Sequence, residues 1–101
     1  MIEIRRTPQF ARWLASLKDR RALAKITLRI DRLADGHAGD VKPIGEGVSE
    51  LRIDHGPGYR IYHARRGSVV VMLLVGGDKS SQARDIAAAK KLAREWKESE
   101  P

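Results

Sequence analysis

VSELRIDHGPGYRIYHARRGSVVVMLLV, residues 48–75, reads as three consecutive β-strands. Residues 48–54 alternate, with Leu51 and Ile53 to one side and Glu50 and Arg52 to the other. His55-Gly56-Pro57-Gly58 turns the chain, and residues 59–65 carry the next strand. A tight turn at Arg66-Gly67 leads to residues 68–75, which are nearly all apolar, as a central strand covered on much of both faces requires. Downstream, Gly76-Gly77-Asp78-Lys79 reads as a turn, and Ser80 or Ser81 opens a last helix with the apolar stripe Ile86, Ala89, Ala93 and Trp96. Upstream, residues 36–47 hold Gly36, Gly39, Pro43, Gly45 and Gly47 and read as a loop. Before that loop stands a helix capped by Asp19, with the stripe Leu23, Ile26, Ile30 and Leu33, stopped by Gly36. An earlier helix over residues 8–18 has Thr7 as N-cap, Pro8 at its first position and Phe10, Trp13, Leu14 and Leu17 at helical spacing. The two helices are close enough in sequence to form an αα-hairpin. Residues 2–6 alternate as a first strand, with Ile2 and Ile4 on one side. The expected fold is α+β, in the order β-α-α-β-β-β-α, with a small, mostly antiparallel sheet packed by the helical hairpin and the C-terminal helix.

A chain of 101 residues is the size of one domain, so residues 1–101 are read as a single unit. Twenty basic residues against thirteen acidic ones give a formal charge of +7, which makes a polyanion the first partner to consider. Most of the cations are Arg, whose planar fork fits phosphate in a bidentate way. The absence of Cys excludes a disulfide scaffold, a thiolate nucleophile and a Cys-built zinc site, and it suits the reducing cytoplasm. The N-terminus has no apolar h-region, and the longest apolar run, residues 69–75, is far short of the roughly 20 residues of a membrane span. A cytoplasmic protein with no membrane partner is the expectation.

Two sets of cations stand out. On the second helix Arg21, Lys25, Arg29 and Arg32 share one face, and on the last helix Lys90, Arg94 and Lys97 do the same. Each stripe alone reads most simply as a solvated face. Together with the net charge they favour an RNA- or ribosome-binding surface that grips backbone with little sequence choice. The second helix has no Asn or Gln to read adenine edges, which weighs against a DNA-reading helix-turn-helix. The second set lies on the strands. Antiparallel pairing of residues 48–54 with 59–65 brings Arg52 near Arg60 or Tyr62. Two Arg side by side either hold an anion between them or pair separately with Glu50, Asp54 or a helix acid. Lys79 sits beside the start of the last helix, where free N–H groups suit phosphate. The Gly-to-Lys spacing in Gly76-Gly77-Asp78-Lys79 is wrong for a nucleotide loop, and Asp78 would repel phosphate. His37, His55 and His63 are scattered, with His63 read as packing or hydrogen-bonding at the sheet edge. No metal site and no cofactor are expected.

The runs Glu50-Leu51-Arg52, Gly58-Tyr59-Arg60-Ile61-Tyr62, Leu73-Leu74-Val75-Gly76-Gly77-Asp78-Lys79-Ser80-Ser81-Gln82 and Asp85-Ile86 resemble the phage-type addiction module killer branch of the RelE/ParE toxin superfamily, which is similar to HigB toxins. The resemblance spans essentially the whole chain and departs from the usual pattern at Ser49, where members often carry an aromatic. It implies a RelE-like fold, and the toxin of a type II toxin–antitoxin system. Such a toxin is a metal-independent, ribosome-dependent endoribonuclease that cuts translated mRNA, contacts ribosomal RNA and is silenced by a helix-turn-helix antitoxin. Under that reading Arg52 and Arg60 clamp the phosphate. Lys79 serves as base or charge stabiliser, and Tyr62 stacks on a base or relays a proton. A gyrase inhibitor of the ParE kind on the same fold, or a non-enzymatic RNA-binding protein using only the helix stripes, are the alternatives.

Overall fold

The computed structural model describes residues 2–99. It is an α+β fold of five strands and three helices: β1 (Glu3–Arg6), α1 (Pro8–Ser16), α2 (Arg20–Ala34), β2 (Val41–Gly45), β3 (Val48–Ile53), β4 (Tyr59–Arg66), β5 (Val70–Gly77) and α3 (Gln82–Ser99), with a 3₁₀ turn at Lys79–Ser81 before α3. The strands form one mixed sheet in the order β1-β5-β4-β3-β2. β1 runs parallel to β5, and every other pair is antiparallel.

The local signals set the starts of α1 and α2 as expected, whereas Ser80 and Ser81 lie in a 3₁₀ turn capped by Asp78, and α3 starts at Gln82. Thr7 Oγ1 accepts from the Phe10 amide and donates to the Leu74 carbonyl, so it caps α1 and fastens it to β5. Asp19 accepts from the Arg21 and Ala22 amides and caps α2. These hydrogen bonds hold the Asp19 carboxyl below the usual carboxylate range, the Ala22 amide contributing most. The sheet is covered on both sides. Phe10, Ala22, Ile26 and Leu33 from α1 and α2 pack on Leu51, Ile53, Ile61 and Leu73. Ala89 and Ala93 of α3 pack on Val48, Tyr62, Ala64 and Leu74. A bulge makes this possible: between Tyr62 and His63 the partners jump from Val75 to Leu73, so Leu74 is the extra residue. Leu73 then serves the α1/α2 core, while Leu74 and Val75 both serve the α3 core.

Three expectations need correction. The segment read as a loop contains a fourth antiparallel element, β2, paired with β3. Pro43 is tolerated because β2 is an edge strand with one neighbour, and the register slips between Pro43 and Gly45. The turn back into β3 passes through Glu46, whose φ of 55° is left-handed. Next, Gly76 and Gly77 are not in a turn but close β5. They face opposite helices. A Cβ on Gly76 would lie 2.1 Å from the Trp13 ring of α1, and one on Gly77 would lie 1.9 Å from the Asp85 carboxylate of α3. Finally, His63 is not at a sheet edge: β4 lies between β3 and β5, and the side chain is buried with neither ring nitrogen hydrogen-bonded.

Burial, with a smaller contribution from the charge of Arg65, pushes the His63 pKa down to about 4. The unfolded chain takes up this proton near pH 6.5, whereas the fold excludes it until about pH 4. Stability is therefore fully present above pH 6.5 and is lost as pH falls through that window. Denaturant titrations at pH 7.5 and 4.5 should differ by roughly 2–3 kcal/mol. His63→Leu should flatten most of that difference. An unchanged slope in the variant would assign the pH dependence to other groups. No helix among the described residues is long and apolar enough to cross a membrane.

Candidate phosphate-binding site

The antiparallel register of β3 and β4 sets Arg52 directly opposite Arg60 and Glu50 directly opposite Tyr62. All four project from the face that α3 covers, but α3 begins only at Gln82, so the Arg end stays open while the Glu50 end is roofed. Each Arg has its own acid. Arg60 Nε lies 3.6 Å from Glu50 Oε2, and Arg52 Nη2 donates to Asp40 Oδ1 at 3.2 Å. Pairing is incomplete, because Nε of both Arg residues is buried without a hydrogen-bond partner. Arg60 Nη1 donates to the Gly58 carbonyl at 2.9 Å.

Lys79 joins them from the other side of the β3–β4 loop. Its amide donates to the Pro57 carbonyl, and a Cβ on Gly58 would stand 3.3 Å from Arg60 Nη1 and 3.7 Å from Lys79 Cβ. Gly58 has φ +80°, so glycine answers both a left-handed backbone and a lack of room between two cations. The loop is anchored at its far side, where His55 Nε2 meets Asp19 Oδ2 at 3.1 Å and its ring stacks on Tyr59. Arg52, Arg60 and Lys79 thus line one open cleft of about 340 Å³, together with Asp40, Asp54 and Tyr59. Asp78, beside Lys79 in sequence, turns away from this role. Its carboxylate accepts from the Ser80 hydroxyl and amide, which hold it below the usual carboxylate range and cap the 3₁₀ turn.

Tyr62, expected to stack on a base or relay a proton, is not part of the cleft. It is fully buried, and its hydroxyl donates to Glu50 Oε2 at 3.2 Å. Burial first, then the neighbouring carboxylate, pushes its phenol well above the ordinary value, so it stays a donor. It has no exposed face for a base to stack on.

The helix stripes separate. They lie on opposite sides of the sheet, because α2 packs in one core and α3 in the other. On α2, Arg21, Lys25 and Arg32 are exposed. Arg29 is not available in the same way: its guanidinium donates to the Arg52, Ala38 and Asp40 carbonyls at 2.6, 3.0 and 3.3 Å. It braces the wall that carries Asp40 and Arg52. Lys25 and Arg32 border a depression with Ile53 and Asp54, residues that also line the cleft, so these two cations lie next to it. On α3, Arg94 and Lys90 lie 2.8 and 3.9 Å from Glu46, which partly neutralises them, while Lys97 is exposed. Sequence reading did not single out Asp40 or Gln82. Glu50 was visible through its phase with Arg52, as an acid available for pairing.

No protein-family model matches the chain. A Haemophilus influenzae protein described only as uncharacterized is 52% identical over 94 residues, which is 93% of this chain and 95% of that one.

Proposed function

We propose that this chain, which belongs to the same family as that Haemophilus influenzae protein, is a metal-independent endoribonuclease of RelE-like fold that cuts mRNA on the ribosome. It would act as the toxin of a cytoplasmic type II toxin–antitoxin pair of the RelE/ParE kind, held silent by a helix-turn-helix antitoxin. The observation that carries the reading is the convergence of Arg52, Arg60 and Lys79 on one open cleft.

The chemistry such a cleft supports is transesterification. The ribose 2′-OH attacks the adjacent phosphorus and gives up its proton. The P–O5′ bond breaks, and the 5′-oxygen takes a proton as it leaves. The products are a 2′,3′-cyclic phosphate and a 5′-hydroxyl. The phosphorane gathers negative charge on its equatorial oxygens, and cations fixed in advance lower that barrier most. Arg52 and Arg60 offer forked donors to those oxygens, and Lys79 adds a third positive charge. The ribosome supplies the alignment of the 2′-OH. The exposed Lys25 and Arg32 of α2 would grip neighbouring RNA backbone through contacts that weaken with salt.

The test is to express the protein in translating cells and map new mRNA 5′ ends. Codon-phased cuts bearing 5′-hydroxyls are expected. Growth arrest with DNA damage and no cuts would replace this reading with gyrase inhibition, and RNA binding without toxicity would leave only a binding protein.

A further inference from the structure

We infer that Glu50 is the positioning residue of the cleft: it aims Arg60 from beneath, and Gln82 and Tyr62 hold Glu50 in place. The inference rests on the ribonuclease reading above and names how its phosphate clamp is organised. Glu50 is 2% exposed in a layer otherwise built from Val48, Tyr62, Ala64 and Leu74. An ionised carboxylate there is costly unless donors surround it, and a Leu or Met of similar volume would pack without that need. The fold provides the donors from two other elements. Tyr62 Oη, across the strand pair, lies 3.2 Å from Oε2, and Gln82 Nε2, at the start of α3, lies 2.9 Å from the same oxygen. Arg60 Nε approaches that oxygen at 3.6 Å.

The consequence falls on Arg60. Its Nε edge faces Glu50 at ion-pair distance without a hydrogen bond, and its Nη1 donates to the Gly58 carbonyl, so the guanidinium is held by one hydrogen bond and by the charge of Glu50. Nη2 has no protein acceptor among the described residues. An Arg without this anchor would be pushed off by Arg52, its direct cross-strand neighbour, and would sample many rotamers. Glu50 therefore sets the geometry of the clamp without touching the substrate, and α3 contributes to catalysis through Gln82 although it lies outside the cleft.

The experiment uses the full chain and two isosteric variants, Glu50→Gln and Gln82→Met, with ribosome-dependent cleavage and the Arg60 Nε–H signal in nitrogen-resolved NMR as readouts. Glu50→Gln should lower kcat by up to about 100-fold with little change in KM. The Arg60 Nε–H signal should lose its protection from solvent exchange. Gln82→Met should act in the same direction more weakly, and it serves as the measurement if Glu50→Gln does not fold. Combined with Arg60→Ala, Glu50→Gln should add nothing further, because its effect passes through Arg60. Additive losses, or an Arg60 signal unchanged in both variants, would overturn the inference. If the wild-type protein cuts no RNA, the ribonuclease reading fails by itself, and the NMR comparison still decides whether Glu50 positions Arg60.

Discussion

Arg52→Ala is expected to lower ribosome-dependent mRNA cleavage by about 10²–10³-fold, the usual loss for one fixed donor to a developing oxyanion. The same change should cost less than about 1 kcal/mol of stability. The separation of the two effects is what makes this variant informative. The Arg52 and Asp40 side chains are 41% and 60% exposed, so their ion pair is largely screened by solvent. Arg60→Ala should lose at least as much activity but should also destabilise the fold, by about 3–5 kcal/mol if the removed partner leaves Glu50 a buried, under-compensated charge. A melting curve and a cleavage time course on each variant check both halves. Arg52→Ala with undiminished cleavage would remove Arg52 from the phosphate clamp, and loss of activity only in step with loss of fold would reduce both Arg residues to structural roles.

The difference between these two Arg residues marks where sequence reading stops. Alternation in residues 48–54 and 59–65, joined by a glycine-rich turn, was enough to bring Arg52 near Arg60 or Tyr62, because antiparallel pairing across a short loop leaves few registers, and the structure selects Arg60. Alternation also put Glu50 and Tyr62 on the same face. It carries no information on whether that face is covered, and here α3 covers one end of it and leaves the other open. Hence Tyr62 was read as a reagent and is a buried donor. Arg29 shows the same limit. It keeps the helical phase of Arg21, Lys25 and Arg32, yet its long side chain reaches the carbonyls of Ala38 and Asp40 and that of Arg52 on β3, which only tertiary folding brings together. Asp40 comes opposite Arg52 only through the β2–β3 pairing, which reading residues 36–47 as a loop concealed, and Gln82 reaches Glu50 from α3, 32 residues away. The edge strand β2 was hidden by its Pro and Gly content, which is ordinary for an edge and unusual for an inner strand.

Gly76→Ala should destabilise the fold strongly although it adds a single methyl group. The added Cβ would stand 2.1 Å from Trp13 Cε3 and 2.4 Å from Cζ3, and a flexible side chain end is not what it meets. The indole is wedged between Phe10 and Tyr59, with ring centroids 5.7 and 6.2 Å away, so it cannot swing aside without moving α1 or the β3–β4 loop. α1 is fastened at its other end by Thr7 to Leu73 and Leu74 of β5, the strand that carries Gly76. Overpacking of this kind typically costs about 1–3 kcal/mol, and the rigidity of both partners argues for the upper end. For a chain of this size that is a fall in Tm of roughly 10–20 °C. The displacement also has a route to the cleft, because Tyr59 borders Arg60 and the loop that separates Arg60 from Lys79. Cleavage should therefore drop even at temperatures where the variant is folded. Trp13→Leu in the same chain removes the ring and should recover a good part of the lost stability relative to Trp13→Leu alone. If Gly76→Ala costs the same with or without the indole, the glycine is required by the backbone of β5 and not by the approach of α1.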